Sequence, residues 1–237
     1  MMINTEYFIL IAAVMVVASI FLYGKSLSVN TTKLLNAFSA AFLIAICFTE
    51  ILPESYKVNI EYTGIFVIVG FLLQLVLGVF SGGIEHGHSH QHKHGIPYAI
   101  LFSLGAHAFI EGMPLNAHTH AAHESLHHAL ITGILIHNVP ITIVLTSMLK
   151  HSGISNFKTL VILFIFSLLS PLGAAAANII FISPENLAIP LALVAGILLH
   201  ISTTILFESN VDHRFNFYKM IAIIIGAGIA VLNFLLH

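Results

Sequence analysis

Eight stretches of roughly 17–25 mostly apolar residues, the length that crosses a bilayer as a helix, follow one another with only short polar breaks between them. They run about Tyr7–Tyr23, Leu34–Leu52, Tyr62–Phe80, Ile96–Leu115, Leu126–Leu149, Leu160–Ile182, Leu187–Phe207 and Tyr218–Leu236. Inside lipid every backbone polar group must be satisfied within its own segment or in a closed barrel, so runs of this length read as helices. Only 8% of the 237 residues are charged and the mean hydropathy is +0.99, whereas a soluble domain carries about a quarter of its residues as Asp, Glu, Lys and Arg. The expected fold is therefore an all-α integral membrane protein with eight transmembrane helices, forming a single domain over residues 1–237. The start of the chain has no basic segment ahead of its first apolar run, so that run reads as a span and not as a cleaved signal. No basic cluster points to nucleic acid.

The breaks also set an orientation. Lys25, Lys33, Lys93, Lys150, Lys158, Arg214 and Lys219 fall in one set of loops, and Lys57 alone falls in the other. Basic residues accumulate in cytoplasmic loops, which places the loops after spans one, three, five and seven in the cytoplasm and both termini outside.

Against this apolar background, the polar residues inside the spans carry the functional signal. Span four contains His107 and Glu111, and span five contains His137 followed by Asn138 and Pro140. Residues four apart on a helix share a face, so His107 and Glu111 stack one turn from each other. His137 falls near the same depth on the next, antiparallel helix. A carboxylate near mid-bilayer costs about 2.5–3.5 kcal/mol on insertion scales, and a cation held with two imidazoles offsets that cost. Pro114 and Pro140 each remove a backbone hydrogen bond, and interrupted helices at the midplane commonly line ion sites in transporters. His200 in span seven stands alone and reads as a satisfied interhelical hydrogen bond.

Histidine is the second outlier, with 16 copies against the single Cys47. One cysteine excludes both an intrachain disulfide and a thiolate zinc finger. His86, His88, His90, His92 and His94 fall in the loop 82–95 between spans three and four, on the basic side. Imidazole binds zinc, copper, iron and nickel well, so this loop reads as a cytoplasmic metal acceptor. A second group, His118, His120, His123, His127 and His128 with Glu124, lies between spans four and five and reads as an outer capture site.

The motifs resemble those of the ZIP (Zrt/Irt-like) divalent-metal transporters. Phe48-Thr49-Glu50-Ile51-Leu52-Pro53-Glu54 is similar to the family's acidic-or-His, Leu-Leu-Pro-Glu pattern closing the second helix. His107 to Gly112 resembles its His-x-x-x-Glu-Gly, and His137-Asn138-Val139-Pro140 its His-x-x-Pro. The resemblance implies a ZIP-like bundle, uptake of zinc or a similar cation into the cytoplasm across the cell membrane, and a homodimer. It also implies that one helix bundle moves against another. Residue by residue it makes His107, Glu111 and His137 the primary ligands, with Glu50 on the outer part of the pathway.

Two departures bear on the metal count. Many members carry Glu after the His-x-x-Pro, where this chain has Ile141, and many carry a polar ligand after the first His, where it has Ala108. A second metal would be left with Glu111 and Asn138, so one metal is expected. Water or another side chain, with Ser167 and Ser170 as candidates, completes its shell. No resident cofactor is expected, only a transported divalent metal; zinc suits the donors best, and iron, manganese, cobalt, nickel and cadmium fit the same set. The rival reading is an intramembrane zinc-dependent hydrolase, which uses His ligands and a bound water but needs a further acid or base beside it. A cation-diffusion exporter also carries His-rich loops. It needs Asp-rich or His/Asp spans, and the one Asp here, Asp212, lies in a loop.

Overall fold

The computed structural model describes residues 5–25, 27–58, 61–81, 96–115, 124–181, 188–208 and 217–236, and among them every regular element is helical. Eight of these helices are long and apolar enough to cross a membrane: Thr5–Tyr23, Val29–Val58, Thr63–Ser81, Tyr98–Leu115, Leu126–His151, Asn156–Ile180, Ala188–Phe207 and Phe217–Leu236. They are called spans one to eight.

Local chemistry explains where several of them start, bend and stop. Ser28 and Ser155 cap spans two and six by accepting the backbone N–H three residues on, which satisfies a donor that the helix cannot use itself. Span two does not stop at Pro53 as the sequence alone implies. It widens into one π turn over Cys47–Ile51, where the Leu52 N–H reaches the Cys47 carbonyl, and continues to Val58. A wider turn just ahead of a proline accommodates a ring that lacks an N–H and would otherwise press on the preceding turn. Span six is interrupted at Leu168, between Asn156–Ser167 and Leu169–Ile180. Pro171 falls in the first turn of the second piece, where a missing N–H is harmless.

Two lysines tie neighbouring helices together at the basic side. Lys150 donates to the Leu22 carbonyl and Lys219 to the Leu206 carbonyl, both at 2.9 Å. Each ammonium thus meets the last carbonyls of a helix, where the backbone dipole is negative.

The spans pack as two groups of four. Span one lies on spans five and six, and span four lies on span six; spans two and three both lie on span seven, and span eight lies on span two. Within each group the backbones touch. A Cβ at Gly112 would collide with the Ser170 carbonyl, and one at Gly173 with that of Phe109, which joins spans four and six in both directions. Gly70 and Gly196 meet the Leu193 and Val67 carbonyls in the same reciprocal way between spans three and seven, and Gly226 meets Phe38 between spans eight and two. Without a hydrophobic driving force between helices in lipid, such close approach through small residues is what holds them. Between the groups the contact is looser. Opposite Gly133 of span five stand only the flexible ends of Leu43 and Ile46 of span two, each 3.5 Å from where a Cβ would sit.

This packing makes a stability prediction. Gly112→Ala or Gly196→Ala should destabilise the purified protein by about 1–3 kcal/mol through overpacking, read as a lower melting temperature. Gly228→Ala, where a Cβ meets nothing within 4 Å, should leave melting unchanged.

Candidate metal site

Span four places His107 and Glu111 one turn apart, and the break at Gly112-Met113-Pro114 follows at once. Span five runs as one helix from Glu124 to His151 with Pro140 inside it, three residues after His137. His107, Glu111 and His137 are each 1% exposed. One ligand atom from each, two imidazole nitrogens and a carboxylate oxygen, lie within 4.8 Å of one another, and this is the one such His/Cys/Asp/Glu group among the described residues.

The detailed geometry is that of a slightly open cradle. His107 Nε2 stands 3.6 Å from Glu111 Oε2, and the rings of His107 and His137 meet edge to face with centroids 5.5 Å apart. Neither nitrogen of His107 has a hydrogen-bond partner among the described residues, an unusual condition for a buried polar group. A tetrahedral cation with ligands at about 2.0–2.2 Å needs them about 3.3 Å apart, so small side-chain rotations suffice to close the three groups on one ion. The mixed nitrogen and oxygen donors suit zinc and neighbouring divalent metals.

The remaining expected positions are distributed around this cluster. Asn138 is buried, and its Oδ1 has no hydrogen-bond partner among the described residues. Glu50 is buried in the π turn of span two. Ser170 is buried at the crossing with Gly112. Ser167 donates to the Phe164 carbonyl at 2.7 Å, so its hydroxyl is engaged in its own helix. Ile141 and Ala108 lie in an apolar cluster with Val14, Ala18, Leu104, Leu145, Leu163 and Phe166. His200 packs its ring edge to face on Phe71 of span three with centroids 4.9 Å apart. His86, His88, His90, His92 and His94, and likewise His118, His120 and His123, lie outside the described residues.

One feature escapes any sequence pattern. His127 Nε2 meets Glu6 Oε2 at 2.5 Å, tying the start of span one to the start of span five. The pair is separated by 121 residues, and no local periodicity announces it.

A sequence model of the ZIP zinc transporter family matches residues 82–233, well over half of the chain. The chain belongs to the ZIP family. The match covers both histidine-bearing helices of the cradle, while the Leu-Pro run of span two lies ahead of it. No curated protein sequence matches the chain. ZIP members are divalent-metal transporters, and this one is a multi-pass membrane protein by its eight apolar helices.

If the cradle takes a divalent cation, zinc should raise the melting temperature of the purified ZIP protein, by about 2.7 kcal/mol of stability at 100 times Kd. Glu111→Gln keeps the shape and removes the charge, so it should remove most of that zinc-dependent shift in scanning fluorimetry.

Proposed function

We propose that this ZIP protein carries a divalent cation, zinc foremost, into the cytoplasm through a single midplane site formed by His107, Glu111 and His137. The observation that carries this reading is the burial of three metal-binding side chains from two helices within 4.8 Å of one another. In an apolar core, an anionic carboxylate facing two imidazoles has no purpose in packing. A divalent cation between them offsets the carboxylate's charge and takes one donor atom from each side chain.

The order of events follows from where the donors lie. Glu50 and the outer histidines His118, His120 and His123 gather the hydrated ion. His107, Glu111 and His137 then replace part of its water, with Asn138 beside them. The histidines of loop 82–95 receive it on the far side. Seven basic residues in one set of loops against one in the other support the orientation, with both termini outside. The two helix groups, locked internally by backbone contact at their glycines and meeting each other through side chains, aliphatic at Gly133 and a hydroxyl where Ser103 donates to the Leu77 carbonyl, suit alternating access by movement of one group against the other. Two such chains form the homodimer that the family pattern implies.

The site is read as mononuclear because Ile141 and Ala108 belong to a buried apolar cluster and offer no ligand for a second ion. The hydrolase reading has no comparable support. Among the described residues the cluster holds one carboxylate, which leaves no separate acid or base for a bound water.

Two outcomes test this. His107→Ala or Glu111→Ala should abolish zinc uptake into proteoliposomes while the protein still elutes as the wild type does; undiminished uptake in both defeats the proposal. The metal content removed by His107→Ala should be one ion per chain. Because imidazole binds metal only when neutral, uptake should fall as external pH is lowered from about 7.5 to about 5.5.

A further inference from the structure

Three protein ligands leave the shell of a tetrahedral cation one short, and the structure holds a candidate on the opposite helix group. Buried hydroxyls on the helices of this protein commonly bond the carbonyl three or four residues back, as in Ser55 to Ile51, Thr146 to Thr142 and Ser152 to Met148. Ser39 of span two does not, nor do Thr142, Thr159 and Ser202; Ser39 is the one of these that lies on span two, facing span five. It is 1% exposed, and its Oγ has no hydrogen-bond partner among the described residues. One turn nearer the basic side, Asn36 is also buried, and its Oδ1 is likewise without one.

Helix geometry sets Ser39 beside the cradle. Spans two and five run in opposite directions and meet where Gly133 faces Leu43 and Ile46. At 1.5 Å per residue, His137 lies about 6 Å from Gly133 toward the basic side. Ser39 lies about 6 Å beyond Leu43 and about 10 Å beyond Ile46 in that same direction, so the two sit at nearly one depth. At 100° per residue, Ser39 projects between the directions of Leu43 and Ile46, the side chains that face span five, and His137 is only about 40° from Gly133. Ile110, between His107 and Glu111, packs both on the cluster of Ala40 with Ile197, Ile201 and Ile205 and on the one that holds Leu43 and Ile46, so the triad's turn of span four lies against the same two clusters as this part of span two.

We propose that Ser39 Oγ is the fourth, oxygen ligand of the transported cation, with Asn36 Oδ1 the next oxygen on the way to the basic side. The inference rests on the triad being the transport site. A neutral hydroxyl is a weak ligand, which suits a site that must release its ion. Span two belongs to the group opposite spans four and five, so the Ser39 contact exists in one relative position of the groups. When they shift, water replaces the hydroxyl and the ion is held by three protein ligands only.

Cadmium binding to the full-length protein in detergent tests this, the triad's share being the binding that His107→Ala removes. Ser39→Cys substitutes a soft sulfur for oxygen and should tighten that share by about tenfold or more. Cadmium-edge X-ray absorption should show a sulfur neighbour absent from the wild type. A Ser39→Cys protein that elutes and melts like the wild type, yet shows unchanged affinity and no sulfur neighbour, overturns the assignment while leaving the triad standing. If His107→Ala removes no cadmium at all, the triad itself has failed, and the Ser39 assignment falls with it. Should Ser39→Cys not fold, Ser39→Ala decides: a loss of about three- to tenfold in zinc affinity supports the ligand role, and no loss overturns it.

Discussion

A buried carboxylate is the constraint around which this molecule is arranged. Glu111 is 1% exposed in a helix bundle surrounded by hydrocarbon, where an ionised side chain is costly unless something opposite in sign stands beside it. The basic side chains of this chain lie at or beyond the ends of the spans, so none stands at its depth. The groups that do face it are imidazoles, which add lone pairs and no fixed charge. That combination is the donor set of a divalent-cation site.

The rest of the fold encloses that cluster. Shielding comes from two apolar clusters, one centred on spans two, five and seven with single residues of spans one, four, six and eight, the other filling the space among spans one, four, five and six. Two kinds of helix contact surround it. Glycine crossings bring backbones together inside each group of four spans, where sliding would drive a carbonyl into an α-carbon. Between the groups, Leu43 and Ile46 lie over Gly133 with flexible side-chain ends, a surface that yields at small cost. Span two then presents an aliphatic wall to span five at Leu43 and Ile46 and, further along, two buried oxygens without a hydrogen-bond partner among the described residues, Ser39 Oγ and Asn36 Oδ1.

Much of this was legible before any coordinates. The eight spans follow from apolar length, and the pairing of His107 with Glu111 follows from helical spacing. The partnership with His137 followed from depth in antiparallel neighbours, and the cluster within 4.8 Å agrees with it. Other features were not legible. Helices of this kind are apolar nearly all round, so periodicity does not say which face meets which neighbour. The pairing of span three with span seven and the reciprocal glycine contacts were therefore hidden. So were the π turn that carries span two past Pro53 and the interruption of span six at Leu168. Ser39 passed unnoticed because a serine in an apolar helix ordinarily satisfies itself on its own backbone, and only the coordinates reveal that this one does not. Ser167, a candidate fourth ligand by sequence, turned out to do what serines usually do.

The division between the two kinds of information has a physical origin. The sequence by itself determined how many times the chain crosses lipid and which side chains are too polar to be there without a reason, because both follow from transfer energies that act residue by residue. Only the tertiary structure decided which helices lie together, how tightly, and which buried hydroxyls are left without a hydrogen bond to their own helix. Those outcomes depend on the mutual fit of surfaces far apart in the chain, and no local energy term encodes them.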